Sequence, residues 1–174
     1  MSIAAPSIGL SGAQDQIRGH FDARSGDTLA GGFVVENRLG LGGTSRALKV
    51  TRDGRRGVLK VALSPDHNGR LAQEGRLLAS VRHASIVELY GECELSGHHA
   101  LFLSLAGEQT LAQRLAREGR LSLDLLQRFG EQLLELVDWL EQNGVVHRDI
   151  KPENIGIGET GSGRLRLEIG RAHV

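Results

Sequence analysis

One octapeptide constrains this chain more than any other feature: His-Arg-Asp-Ile-Lys-Pro-Glu-Asn at positions 147–154. It follows a stretch, 123–142, whose apolar residues recur every three or four positions and therefore predict a helix. Asn143-Gly144 predicts the end of that helix, because both residues tolerate a left-handed cap. An ordinary polar turn rarely carries His, Arg, Asp, Lys and Asn in this register. We therefore expect this loop to fix both the chemistry and the fold.

The loop holds three polar groups that a phosphoryl transfer to a hydroxyl requires on the acceptor side. Asp149 is the candidate base, since it can accept the proton of an attacking hydroxyl or orient that hydroxyl. Lys151 is a candidate catalytic cation that neutralises a moving phosphate. Asn154 is a candidate magnesium ligand, because an amide oxygen suits a hard cation without adding charge.

The octapeptide resembles the catalytic loop of the eukaryotic-type Ser/Thr protein kinases, here of bacterial character. The resemblance implies ATP and Mg²⁺ as cofactors and a protein of unidentified sequence as substrate. It also implies an α+β fold with an N-lobe, consisting of a five-stranded antiparallel sheet and one helix, followed by an incomplete helical C-lobe. The residue pattern of three segments is also similar to the kinase module of phage-growth-limitation (BREX-type) defence proteins. These segments are 107–111, 120–123 and 151–157.

A glycine-rich turn lies between the first two predicted strands. Gly40, Gly42 and Gly43 let a backbone turn tightly and bring N–H groups onto phosphate oxygens. By resemblance to the kinase G-x-G-x-x-G-x-V pattern, Ala47 stands where a valine covers the adenine, and Ser45 replaces the third glycine. We expect these glycines and Ala47 to contact the nucleotide.

Lys60 lies among apolar strand residues, where an ammonium needs a partner. By resemblance, that partner is Glu74 of the following helix, and the pair holds the α- and β-phosphates of ATP. The segment before the next helix resembles the kinase hinge. Backbone groups near Ser104 and Ala106 are expected to bind the adenine there, and Asn154 completes the nucleotide contacts through magnesium.

Local patterns predict the remaining elements. Short apolar runs bounded by turn residues predict strands, with Asp53-Gly54 as a hairpin turn. The helical period predicts helices at 71–81, 111–117 and 123–142, and Thr110 is a candidate N-cap. The strands predicted in this way are 33–39, 47–51, 58–63, 86–90 and 100–105. The resemblance to kinases further implies a short hairpin after the catalytic loop, formed by 155–157 and 165–167.

The expected organisation has four parts. Residues 1–30 lack a sustained period and predict a flexible leader. Residues 31–106 correspond to the N-lobe, and 107–167 to a partial C-lobe with the catalytic loop. Residues 168–174, Glu-Ile-Gly-Arg-Ala-His-Val, resemble a translated sequencing-library adapter and are interpreted as a non-native tail.

The composition of the chain indicates which classes of partner it binds and in which cellular compartment it is expected. The 21 basic and 21 acidic residues balance, so neither nucleic acid nor an anionic membrane surface is indicated. No apolar run approaches the length of a membrane span of about 20 residues. The single cysteine, Cys93, cannot form an internal disulfide, which favours the cytoplasm. We expect Cys93 to be a small apolar strand residue.

Three functions remain open at this stage. The first is a fragment of a Ser/Thr kinase, inactive by itself, since 174 residues are fewer than a complete kinase domain of about 250–300 residues. Its helix 123–142 would then expose an apolar stripe normally covered by the missing C-lobe. The second is a pseudokinase that binds nucleotide without transfer, favoured if Glu168-Ile169-Gly170 is native. The third, a small-molecule phosphotransferase of the aminoglycoside-kinase type, is disfavoured by Arg148 and Lys151.

Overall fold

The computed structural model describes residues 22–158 and 165–167, and these divide into two compact units. The sheet unit contains residues 22–80 and 88–104, and the helical unit contains 81–87 and the residues from 105 onward. The expected lobe boundary at 106/107 thus falls close to the observed division. Segment 81–87 differs from that expectation and belongs to the helical unit. The physical reason is packing: Ile86 and Val87 are buried, and the His83 ring lies 5.0 Å from the Trp139 ring.

The sheet unit is an antiparallel sheet of six strands in the order β1-β2-β3-β4-β6-β5. The predicted count of five was wrong by one, because a two-residue strand pairs with β2 at the edge. The predicted turn at Asp53-Gly54 is confirmed, and both residues have positive φ angles of 49° and 75°, as a tight two-residue hairpin requires. The strands are β1 (Thr28–Leu29), β2 (Phe33–Leu41), β3 (Ser45–Arg52), β4 (Arg55–Ala62), β5 (Leu89–Leu95) and β6 (His98–Leu103).

The start of this unit corrects the predicted leader. Ala23 and Leu29 are buried in the same apolar cluster as Phe33, and the Arg38 side chain donates to the Ala23 carbonyl. Residues 22–30 are therefore part of the packed sheet unit. The sequence pattern missed them because two short apolar residues among polar ones have no measurable period. The rest of the predicted leader, 1–21, and the predicted tail, 168–174, lie outside the described residues.

One α-helix, α1 (Asn68–Ser80), packs on the sheet and begins after a short 3₁₀ turn at Pro65–His67. It buries its apolar residues Leu71, Leu77 and Leu78 together with Glu74 and Gly75. Successive side chains of β4 point to opposite faces of the sheet. Leu59 and Val61 join the apolar cluster on one face, and Lys60 between them points to the other face. Glu74 and Lys60 therefore meet on the helix side of the sheet.

The described part of the helical unit contains two α-helices and a small three-stranded sheet. Thr110 caps the first helix as predicted: its hydroxyl accepts from the Gln113 backbone, and the Gln113 side chain accepts from the Thr110 N–H. The predicted hairpin 155–157/165–167 is confirmed by antiparallel pairing. The elements are β7 (Gln109–Thr110), α2 (Leu111–Glu118), α3 (Leu123–Gln142), β8 (Ile155–Ile157) and β9 (Leu165–Leu167).

The apolar side of α3 differs from the predicted single face. The helix has the predicted bounds, but Phe129, Leu136 and Leu140 are buried while Leu126 and Val137 are 57% and 39% exposed. The buried and the exposed apolar residues form two stripes about a quarter-turn apart around the helix. The spacing of apolar residues in the sequence does not separate these two stripes. The exposed stripe consists of Leu123, Leu126, Leu134 and Val137. No helix in the described part of the chain has both the length and the apolar character that a membrane crossing requires.

Cys93 lies on β5 and packs against the apolar cluster, which confirms the prediction of a small strand residue. Burial raises the pKa of its thiol to about 11, above the ordinary value of 9.0. Because the thiolate is the reactive form, we expect Cys93 to react about 100-fold more slowly with iodoacetamide at pH 8 than an unburied cysteine. Mass spectrometry of the native chain over time measures this rate. A urea-unfolded sample serves as the control and should react at the ordinary rate.

Candidate active site

Three of the predicted nucleotide-binding residues, Gly40, Ala47 and Lys60, lie along one row across the sheet. The strand register places Gly40 opposite Ala47, Ala47 opposite Lys60, and Lys60 opposite Leu101. Residues directly opposite in an antiparallel pair project from the same face. Ala47 and Lys60 therefore share the face on which α1 packs, and Gly40 lies at the edge of this row. Sequence proximity alone does not predict the row, because it joins four strands.

The glycine-rich turn is a tight, exposed connection between β2 and β3. The Gly42 N–H donates to the Ser45 carbonyl at 2.8 Å, and a Cβ on Gly42 would lie 3.3 Å from that oxygen. Gly43 and Gly40 have open space around the position of a Cβ. The turn has the backbone freedom that a phosphate-binding loop needs. Its role in nucleotide binding stays a prediction.

The predicted pairing of Lys60 with Glu74 is confirmed. The ammonium donates to both carboxylate oxygens of Glu74, at 2.8 and 2.9 Å, and the two side chains are 11% and 8% exposed. A buried charge is tolerated only where an opposite charge and hydrogen bonds compensate it. The pair therefore presents a compact, oriented ammonium that could bind phosphate oxygens.

The two hinge residues belong to different units. Ser104 is buried in the sheet unit, where its N–H donates to the Glu88 carbonyl at 2.8 Å and its hydroxyl accepts from the Glu88 N–H at 2.9 Å. Since its N–H is engaged, a contact of the Ser104 backbone with adenine would have to use its carbonyl. Ala106 belongs to the helical unit, and its Cβ and carbonyl lie against Gly156.

The catalytic-loop residues come together within the helical unit. The Asn154 amide donates to both the backbone oxygen and the Oδ2 of Asp149, each at 2.9 Å. The Lys151 ammonium lies 3.2 Å from Asp149 Oδ1. One carboxylate is thus held between an amide donor and a cation. These contacts orient the carboxylate, as the role of a base for a hydroxyl requires.

The backbone around this carboxylate is strained and anchored. His147 is 3% exposed, and its Nδ1 accepts from the Asp149 N–H at 3.2 Å. Arg148, between them, has a φ of 61°, in the left-handed region that costs a non-glycine residue about 1–3 kcal/mol. The buried histidine fixes the peptide that positions Asp149. Sequence reasoning singled out the motif but could not show this strain.

Asn154 passes a chemical test as a magnesium ligand. Because Nδ2 is used in donating to Asp149, the other end of the amide is the carbonyl oxygen Oδ1, which magnesium prefers. Among residues 22–158 and 165–167, no cluster of three His, Cys, Asp or Glu side chains is arranged to hold a metal. The Asn154 amide oxygen is thus a chemically suitable ligand for magnesium, and its role as one stays a prediction.

Sequence reasoning missed two glycines that position the loop. A Cβ on Gly107 would lie 1.9 Å from the Ile157 carbonyl oxygen, and a Cβ on Gly156 would lie 2.4 Å from the Ala106 Cβ. The two backbones therefore touch where β8 follows the catalytic loop. The available signal was Gly156 between two isoleucines, since a glycine inside a strand pattern often marks close backbone approach.

Comparison with known proteins connects this geometry to a family. Residues 33–168 match the protein kinase domain. The chain is 36% identical, over 90% of its length, to the "Probable kinase PglW" of Streptomyces coelicolor. It is 32% identical over 82% of its length to the serine/threonine-protein kinase PknA of Mycobacterium tuberculosis, and 31% identical over 78% to the Aurora kinase of Schizosaccharomyces pombe. It spans 12%, 36% and 40% of these relatives, respectively.

Proposed function

Because this chain belongs to the protein kinase family, we propose that it supplies the nucleotide-binding and catalytic-loop residues of a protein serine/threonine kinase. The reaction transfers the γ-phosphoryl group of ATP to a hydroxyl of a protein substrate. The observation that carries the proposal is the Asp149 carboxylate held between Lys151 and Asn154. A polar turn without a catalytic role has no need to orient one carboxylate in this way.

Each residue has one task in the proposed transfer. In the sheet unit, Lys60 binds the α- and β-phosphates while Glu74 orients its ammonium. The glycines of the β2–β3 turn offer backbone N–H groups to phosphate oxygens, and Ala47 packs on the adenine. The carbonyl of Ser104 binds the edge of the adenine.

The helical unit carries out the acceptor side of the reaction. The substrate oxygen forms a bond to the γ-phosphorus, the bond from that phosphorus to the β–γ bridging oxygen breaks, and ADP leaves. Asp149 orients the hydroxyl and accepts its proton. Lys151 neutralises charge on the γ-phosphate, and Asn154 would hold magnesium, which supplies charge neutralisation when bound.

This chain by itself is proposed to bind nucleotide weakly and to transfer phosphate very slowly. Our assignment provides one magnesium ligand, Asn154, whereas family transfer uses an aspartate as well as an asparagine for its metal ions. The exposed apolar stripe of α3 supports the same view, because a surface of that kind is normally covered.

The biological setting is a separate proposal. We place the parent protein in the cytoplasm, where ATP and reduced cysteines occur together, and in a phage-growth-limitation type of defence system. The match to the probable kinase PglW, which covers 90% of this chain, supports the proposed role in defence. Purification of the parent from infected and uninfected cells, followed by phosphopeptide analysis, tests it: an infection-independent phosphorylation pattern would contradict a defence role.

Calorimetric titration with MgATP tests the binding step. We expect weak, saturable binding, with a dissociation constant near the upper end of the usual range of enzyme KM values, about 1 μM–1 mM. The double substitution Lys60→Met/Glu74→Leu removes both charges together and so leaves no buried unpaired charge. It should weaken MgATP binding at least tenfold, whereas Lys49→Met, on the neighbouring strand, should leave it within twofold.

Radiolabelled ATP with casein as acceptor tests the transfer step on the same preparations. We expect binding with little incorporation of label. Binding that does not respond to the double substitution would contradict the assignment of Lys60. Rapid phosphorylation of casein by this chain would contradict the proposed inactivity but not the kinase assignment.

A further inference from the structure

Helix α1 decides whether Glu74 reaches Lys60, because the helix carries Glu74 and the sheet carries Lys60. The apolar residues of α1 can hold it against the sheet but cannot fix its position along the strands, since apolar contacts are not directional. In the sheet unit, α1 meets the β5–β6 hairpin at two places, first through directional hydrogen bonds and then through a close approach of the helix backbone.

The first contact is at the first residue of α1, Asn68. Its side-chain amide donates to the Gly97 carbonyl at 2.8 Å, and its Oδ1 accepts from the His99 N–H at 2.8 Å. Gly97 belongs to the two-residue turn of the hairpin, whose φ angles of 52° at Ser96 and 83° at Gly97 define a tight conformation. A single side chain thus closes two hydrogen bonds on a rigid turn.

The second contact is one residue after Glu74. A Cβ on Gly75 would lie 2.8 Å from Glu92 Oε1 and 2.8 Å from Leu101 Cδ2. Leu101 is fully buried and is the direct partner of Lys60 in the strand register. The glycine therefore allows α1 to approach β6 directly beside the lysine.

His99 joins the two contacts. Its backbone N–H is bonded to Asn68, and its side-chain Nε2 lies 2.9 Å from Glu92 Oε2, whose carboxylate lies against Gly75. A continuous series of contacts thus runs from the start of α1 through the hairpin to the residue next to Glu74.

We propose that Asn68 is a positioning residue that fastens α1 to the β5–β6 turn, so that Glu74 is held against Lys60 before any nucleotide binds. Gly75, which has no side chain, allows α1 to lie as close to β6 as the bonds of Asn68 require. The inference deepens the proposed function, because the placement of Lys60 matters for phosphate binding. The geometry of the pair can nevertheless be measured without nucleotide.

Acetylation of Lys60 by acetic anhydride, followed residue by residue with mass spectrometry, reports the pair directly. The Lys60 side chain is 11% exposed and its ammonium is bonded to Glu74, so it should react slowly in the unaltered chain. Asn68→Ala is expected to raise the rate at Lys60 at least fivefold relative to Lys49, an internal reference on β3. Glu74→Gln gives the acetylation rate of Lys60 when the carboxylate charge of its partner has been removed.

Two further variants separate positioning from general loss of stability. Thr51→Val removes a hydrogen bond to Glu36 on β2–β3, in the same unit, and should leave the Lys60 rate within twofold. Gln73→Ala, at an exposed position on α1, should also leave it unchanged. An unchanged Lys60 rate in Asn68→Ala, or an equal rise in Thr51→Val, would overturn the proposal. Because no ATP is used, failure of the kinase assignment would leave this result intact.

Discussion

Gly107→Ala is expected to destabilise the helical unit by about 3 kcal/mol or more. The new methyl group would lie 1.9 Å from the Ile157 carbonyl oxygen and 2.4 Å from its carbon, and these are backbone atoms of β8 that cannot rotate away. Relief requires separating segment 105–107 from β8, which follows the catalytic loop. Forced insertion of a methyl group into packed structure costs about 1–3 kcal/mol even when side chains can yield. A loss of this size is a large fraction of the total stability of a domain.

Urea denaturation followed by Trp139 fluorescence measures this prediction, since Trp139 is the one tryptophan of the chain and lies in the same unit. Gly119→Ala is the matched control. Gly119 also has a positive φ, 74°, but open space surrounds the position of its Cβ. We therefore expect a cost of about 1 kcal/mol there, from backbone strain alone. Equal losses in the two variants would show that the contact with Ile157 does not restrain this segment.

Glu74→Leu is expected to destabilise the sheet unit by about 3–5 kcal/mol, because it leaves the Lys60 ammonium buried without its partner. Lys60→Met/Glu74→Leu should recover most of that loss. Two apolar side chains of similar volume avoid the cost of removing two charges from water, and replacing a buried pair in this way is often neutral or stabilising. The pair is thus expected to serve binding more than stability.

Chemical denaturation followed by circular dichroism, with the two single variants and the double variant, gives the coupling energy between the two residues. Glu36→Gln is a suitable control, since Glu36 pairs with Arg56 at a half-exposed site in the same unit. Such an exposed pair contributes about 0–1 kcal/mol. A double variant as unstable as Glu74→Leu alone would contradict the expected compensation.

Local sequence rules account for many elements of this fold. Thr110 begins α2 because a threonine followed by glutamine three residues later forms a capping box. Asp53-Gly54 turns between β3 and β4 because both residues accept positive φ. The bounds of α3 follow from its apolar period and from Asn143-Gly144 at its end, where Gly144 has a positive φ of 68°.

Other features were not accessible to local rules. Leu29 belongs to no apolar run, yet it is 2% exposed because it packs in an apolar cluster that includes Leu95 and Phe102. His83 lies between α1 and β5 in sequence, yet its contact with Trp139 places it in the helical unit. Each outcome depends on a partner distant in the chain, and the sequence pattern near the residue carries no trace of that partner.

The sequence by itself determined the chemistry of the candidate site: a catalytic loop of fixed letters, a lysine in an apolar strand, and a glycine-rich turn. These are properties of residue type and local spacing, which the chain carries whether folded or not. Only the tertiary structure decided how the groups are held. The approach of Gly107 to Ile157 and the fastening of α1 through Asn68 each join segments that lie far apart in the sequence. Directional contacts of this kind depend on distances of a few ångströms, and the packing of the whole unit sets those distances.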